Sequence, residues 1–244
     1  KTTNKENYID VIISEFEKLD YIVDKRVMKC NKYGVPQKRE RLIIIGIKRE
    51  NPYNWDVVFP EEEKAEPNLK NIIKYEYDEN MLHSLRVDDN LFDELEIPEE
   101  CIIQNMNDDT TPPENSKPHP YLLSKYNAKS EKLTYQDKSY NHLFSFGKRI
   151  SPIHCEIIDI RRPSKTIICT YDHQPRLFVP IKNNSGCYLR VILPDELKQI
   201  QGFPENYILK GKKENEEDWK NKVVQIGNAV PPPLIERIVK KYTK

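Results

Sequence analysis

Residues 35–46, V-P-Q-K-R-E-R-L-I-I-I-G, set three strong hydrogen-bonding side chains two apart, directly before an apolar run. In an extended chain, residues two apart share a face. Gln37, Arg39 and Arg41 therefore line one side, with Lys38 and Glu40 on the other. The run Leu42-Ile43-Ile44-Ile45 reads as a strand buried on both faces, as in a parallel sheet. Two readings are open at this point. The triplet is either a polar lead-in to a core strand, or a rigidly mounted pair of permanent cations that grips something anionic or carbonyl-rich.

Upstream, Ile9, Ile12, Ile13, Phe16 and Leu19 recur at helical spacing and predict an amphipathic helix over 7–20. Tyr21 to Val27 alternates like a strand, Asn31–Gly34 is a turn, and the next strand covers Arg41–Ile47. Helix, strand, loop, strand is a fragment of an α/β sheet, too short to close one unaided. Downstream, residues 48–146 contain no glycine and are broken by repeated prolines, which predicts an irregular insert with few elements, Leu91–Leu95 being one helical candidate. Order returns after Cys155: strands at Thr166–Thr170 and Leu177–Pro180, a helix from Pro194 to Gln201, and a last helix over Pro231–Tyr242.

The 244 residues suffice for one large domain or two small ones, and 39 basic side chains balance 39 acidic ones. The distribution is uneven. Residues 51–100 carry 4 basic and 15 acidic side chains, against 35 and 24 elsewhere, which suggests separate surfaces for separate partners. The five cysteines, Cys30, Cys101, Cys155, Cys169 and Cys187, are irregularly spaced without a C-x-x-C pair. No metal site is expected. A cytoplasmic, intracellular protein with reduced thiols and no membrane contact is the simplest account. The chain begins with Lys1 rather than Met, as a processed or partial chain would.

Three further stretches bear on the opening one: R-R-P-S-K-T-I-I-C-T-Y-D-H-Q-P-R-L-F-V-P at 161–180, R-V-I-L-P-D-E-L-K-Q-I-Q-G-F-P at 190–204, and Q-I-G-N-A-V-P-P at 225–232. In order with P-Q-K-R-E-R, they resemble the C-terminal motifs of the C5-cytosine DNA methyltransferases. Four motifs in one order, with a variable insert after the first, make the signal specific. The resemblance covers about 1–50 and 160–244, and residues 51–159 match by position only.

That resemblance implies the C-terminal part of a Rossmann-like α/β methyltransferase sheet plus a smaller mixed target-recognition domain. The division expected is 1–50 catalytic, 51–210 target recognition, and 211–244 returning to the catalytic domain. It implies that Arg41 contacts the O2 carbonyl of a flipped-out cytosine, with Gln37 and Arg39 bracing the site. It also implies that Asn228, Ala229 and Val230 line an S-adenosylmethionine pocket shared with a partner chain. Gly202-Phe203-Pro204 is expected as a turn, and Arg190 and Glu196 as a buried pair. Asp195 and Lys198-Gln199 depart from the commonest form of that motif, which puts phosphate contacts from this helix in doubt. Double-stranded DNA is the implied partner. Lys125, Lys129, Tyr140 and Arg149, in a basic-aromatic stretch, are candidate DNA contacts, joined by Arg161 and Arg162.

The family's F-x-G-x-G, P-C-Q and E-N-V motifs do not occur here; Glu6-Asn7-Tyr8 reads as helix-start polarity. The chain is therefore expected to be inactive alone, as one subunit of a split, nucleoid-associated restriction-modification enzyme whose second chain carries those motifs. A non-catalytic DNA-binding module of the same descent, or a relative methylating transfer RNA, are the alternatives.

Overall fold

Asn7 caps the first helix, α1 (Tyr8–Lys18), its side-chain oxygen accepting the Ile9 N–H at 3.3 Å. Asp20, in the left-handed region at φ 66°, turns the chain into strand β1 (Tyr21–Lys29). A 3-10 turn at Cys30–Tyr33 and left-handed Gly34 then lead into β2 (Gln37–Lys38) and β3 (Glu40–Lys48). This is a computed structural model, and it describes residues 7–53, 55–76, 84–111, 122–123, 145–146, 156–171, 177–210 and 219–243.

The apolar run is not a parallel strand buried on both faces. β3 pairs antiparallel with β1, placing Val27 opposite Leu42 and Met28 opposite Arg41. The link at 30–39 is the reason: a parallel crossover takes about a dozen residues or more. One face of β3, through Ile43 and Ile45, packs on a core of Met28, Cys30, Tyr33, Val35, Phe59, Leu234 and Ile238. On the other face, Phe16 and Tyr21 meet edge to face beside Gly46. Leu42 and Val27 stay exposed, and α1 buries none of its residues.

A second, larger core forms around a five-stranded sheet. Its strands are β4 (Ser84–Val87), β5 (Ile103–Asn105), β8 (Glu156–Ile157), β10 (Leu177–Asn183) and β11 (Gly186–Val191). The order is β4-β11-β10-β5, and β8 joins β10 beside β5. β10 and β11 are an antiparallel hairpin, whereas β5 and β8 run parallel to β10. Asn183 builds the hairpin turn: its Oδ1 accepts the N–H groups of Ser185 at 2.9 Å and Gly186 at 3.2 Å. A one-turn helix, α2 (Leu91–Glu94), buries Leu91 and Phe92 in this core. A short antiparallel pair, β6 (Leu122–Leu123) and β7 (Ser145–Phe146), is separate.

Three helices complete the chain: α3 (Pro194–Ile200), α4 (Trp219–Asn228) and α5 (Pro232–Val239). Leu197 and Ile200 of α3, with Val223 and Ile226 of α4, join the larger core; Leu234 and Ile238 of α5 join the smaller one. Arg190 and Glu196 lock α3 to the sheet through two buried bonds of 2.8 and 2.7 Å. Glu196 also accepts the Leu193 N–H at 2.8 Å, closing the first turn.

The two cores meet along a seam. β9 (Ser164–Lys165) pairs parallel with β2, Gln37 standing opposite Ser164. The strand expected over Thr166–Thr170 is therefore displaced, and only Ser164–Lys165 is extended in a ladder. The reason is visible at Ile167. Its N–H goes to the Gln37 side chain at 3.0 Å and its C=O to Arg39 at 3.0 Å, which leaves no ladder to continue.

Candidate active-site wall

Gln37, Arg39 and Arg41 leave the same side of the chain and meet different surroundings. Gln37 and Arg39 are sealed at the seam, while Arg41 is half-buried. Gln37 donates to the Gln201 side-chain oxygen at 2.6 Å. Gln201 in turn donates to the Ala229 carbonyl at 2.7 Å. Arg39 forks across the same ground: one terminal nitrogen reaches Ile167 O, and the other reaches Gly227 O at 2.7 Å and Ala229 O at 3.4 Å. A buried cation is thus held by carbonyl dipoles, a use for which a planar guanidinium is suited. Among the described residues its Nε has no hydrogen-bond partner.

Arg41 bonds differently. Among the described residues its one hydrogen bond goes to the neighbouring Glu40 carbonyl, at 2.8 Å. It lies near Cys30, whose thiol is pushed up to about 11 by burial, more than the Arg41 charge lowers it. Burial pushes the Cys101 thiol up to about 11 as well, helped by Asp159. A nucleophilic cysteine is favoured by the opposite shift.

The Gly227–Val230 turn closes against the seam. A Cβ on Gly227 would stand 2.5 Å from the Cys169 backbone nitrogen, so only glycine allows α4 this close. Beyond it Asn228 and Val230 are exposed and adjacent. One amide and one apolar side chain on a fixed turn fit one wall of an S-adenosylmethionine site and no more.

Arg161 and Arg162 sit on carboxylates. Arg161 forks onto Asp159 with two bonds of 2.9 Å and reaches Glu100 at 3.1 Å. Arg162 joins Asp159 at 2.7 Å. Burial pushes the Asp159 carboxyl up, but the bonds from Arg161, Cys101 and Arg162 outweigh it and hold the group well below the usual carboxylate range. Lys198, one of the departures from the common motif, is buried and donates to Glu205 O at 2.7 Å while pairing with Asp195 at 3.0 Å. It thereby fastens the turn after α3, where Phe203 N–H bonds Lys198 O at 3.1 Å. Lys125, Lys129, Tyr140 and Arg149 lie outside the described residues. Gln201 is the seam residue that sequence reading missed; it showed only as the first letter of Q-G-F-P.

The family model for C-5 cytosine-specific DNA methylases matches residues 1–244. The chain belongs to that family. It is 24% identical over 263 residues to the Type II methyltransferase M.DdeI of Desulfomicrobium norvegicum, covering 100% of this chain and 59% of the relative. It is 26% identical over 245 residues to the Type II methyltransferase M.AplI of Arthrospira platensis, covering 96% and 51%. The chain therefore spans between half and three fifths of these relatives. Among solved structures, a mutant of Spodoptera frugiperda DNMT2 superposes with a TM-score of 0.55 at 13% identity, covering 96% of this chain and 62% of that one. The chain has an α/β methyltransferase fold. Among its described residues no helix is long and apolar enough to cross a membrane.

Proposed function

We propose that this chain is the recognition and active-site-completing part of a DNA (cytosine-5-)-methyltransferase of restriction-modification type, acting inside the cell on double-stranded DNA. A second chain supplies the P-C-Q, E-N-V and F-x-G-x-G motifs. The observation that carries the reading is the division of labour along 37–41. Gln37 and Arg39 are bonded inside the fold, whereas Arg41, which among the described residues donates from one terminal nitrogen to the adjacent Glu40 carbonyl, has N–H groups left for something else.

The chemistry asks for such a group. When a thiolate adds to C6 of a flipped-out cytosine, charge builds toward N3 and O2. A guanidinium that keeps its proton stabilises that charge from a fixed position. S-adenosylmethionine, when bound, supplies an electrophilic methyl group. Asn228, Ala229 and Val230 hold one side of it, and Gly227 keeps that side against the seam. The division into 1–50 and 211–244 for catalysis, and 51–210 for recognition, belongs to this proposal; Lys125, Lys129, Tyr140 and Arg149 are its DNA contacts. Arg161 and Arg162 join them once a phosphate replaces Asp159 in their forks.

Labelled methyl transfer to duplex DNA is expected from a mixture with a chain carrying the missing motifs, and from neither chain alone. In that mixture Arg41→Ala should lower turnover by about 10²–10³, the usual loss for one oxyanion-type donor, with duplex affinity little changed. Near-normal turnover of Arg41→Ala would remove the assignment.

A further inference from the structure

The seam holds a chain of hydrogen bonds whose direction is fixed at both ends. The Ile167 N–H donates to Gln37 Oε1 at 3.0 Å, Gln37 Nε2 donates to Gln201 Oε1 at 2.6 Å, and Gln201 Nε2 donates to Ala229 O at 2.7 Å. A backbone donor begins the chain and a backbone acceptor ends it. Flipping either carboxamide would set donor against donor or acceptor against acceptor. Both side chains are fully buried, so no water can repair such a flip. Arg39 closes the ring by gripping Ile167 O and Ala229 O, the same two residues, from the other side.

Each member comes from a different part of the fold. Gln37 precedes the strand of Arg41, Ile167 follows β9, Ala229 sits on the turn beside Asn228 and Val230, and Gln201 ends α3. α3 is itself locked to the large sheet by the buried Arg190–Glu196 pair. Gln201 is thus the point at which the large-sheet side touches both the Arg41 segment and the Gly227–Val230 turn.

We propose that Gln201 is a positioning residue for the methyl-transfer site. Its carboxamide ties α3 to Gln37 and to the Ala229 turn and, together with the direct Arg39 bonds, fixes the spacing between the Arg39–Arg41 segment and that turn, so that seating of the large-sheet side on a substrate is carried to both. The inference rests on the function proposed above and concerns a residue that contacts neither base nor cofactor.

The test is a KM-against-kcat comparison in the assembled enzyme. Gln201→Leu should lower kcat by about 10- to 100-fold, the cost of misplacing a reacting group by a fraction of an ångström to an ångström. It should raise KM for S-adenosylmethionine and leave duplex Kd within about threefold, since the expected DNA contacts lie elsewhere. Gln37→Leu removes the same bond from the other side and carries the test if Gln201→Leu does not fold. The double variant should lose no more than either single one, as residues acting as a unit do. Leu197→Ala, a buried change in the same helix that leaves the ring intact, controls for destabilisation and should keep kcat well below its Tm. Losses that multiply in the double variant, a loss confined to Kd, or an equal loss in Leu197→Ala would each overturn the proposal. A wild-type assembly that methylates no cytosine would instead sink the function itself, whatever Gln201 does.

Discussion

Arg39 and Arg41 are two residues apart on one side of the chain, yet one guanidinium is sealed and the other is not. The pattern of 37, 39 and 41 was readable from the sequence, because period-two spacing in an extended chain is geometry. Which of the three would be consumed internally was not readable, because the acceptors are backbone carbonyls up to 190 residues away. Carbonyl groups have no letter in a sequence. Arg190 and Glu196 were legible through the motif resemblance, which implied a buried pair, and they bond at 2.8 and 2.7 Å. Asp159 yields a prediction at this scale. Its folded carboxyl titrates below its unfolded range, so it stabilises the fold above about pH 4 and that contribution is lost as the pH falls through the folded value. Urea midpoints of the wild type should therefore drop more steeply from about pH 5 to about pH 2 than those of Asp159→Asn. Equal slopes would mean that the arginine forks stabilise nothing.

At the scale of elements, helices and strands with strong periodicity emerged within a few residues of their expected limits: α1, β1, β3, α3 and α5. Failures fall where pairing is decided by distant chain. The β10–β11 hairpin was half seen, since Leu177–Pro180 is apolar while the polar turn Asn183-Asn184-Ser185-Gly186 hides its continuation. The expected strand at Thr166–Thr170 yielded to side-chain bonding at Ile167. Close approach of elements is also silent in sequence except at glycine. Gly202 has φ 88°, and a Cβ there would lie 2.7 Å from Pro233 Cδ, so the end of α3 touches the first turn of α5 directly. Gly202→Ala is expected to cost about 1–3 kcal/mol, from left-handed backbone and overpacking together. Chemical denaturation would register it as a lowered midpoint with unchanged slope.

For the whole molecule, part of the acidic stretch is paired with basic side chains from elsewhere in the fold. Glu63 pairs with Arg237 of α5, Glu66 with Lys32 at 2.8 Å, and Glu100 with Lys70 and Arg161, each at 3.1 Å. Lys32, Arg161 and Arg237, all from outside residues 51–100, supply three of those partners. The apolar surface tells more. Tyr8, Ile12, Phe16 and Leu19 of the α1 region stand exposed beside Val27 and Leu42, a run of side chains with the spacing of a core face. Under the proposed function the second chain covers this face in an interface of the obligate kind. Tyr8→Asp with Leu19→Asp should leave the Tm of the isolated chain within a few degrees, because both side chains are mostly exposed there. The same pair should weaken assembly by at least about tenfold, seen in sedimentation or titration of the two chains. Full assembly by the double variant would place the interface elsewhere.

The Arg39 clamp also sets a timetable for synthesis. Its acceptor on Ala229 is 190 positions further along, so at about 5–20 residues per second roughly 10–40 s pass between the two leaving the ribosome's catalytic centre. The Ile167 carbonyl, 128 positions on, is the first of its acceptors to be made, and Gly227 and Ala229 follow only near the last helix. A nascent chain halted between Ile167 and Gly227 would therefore hold a half-set clamp, with one terminal nitrogen seated and the other without its carbonyls.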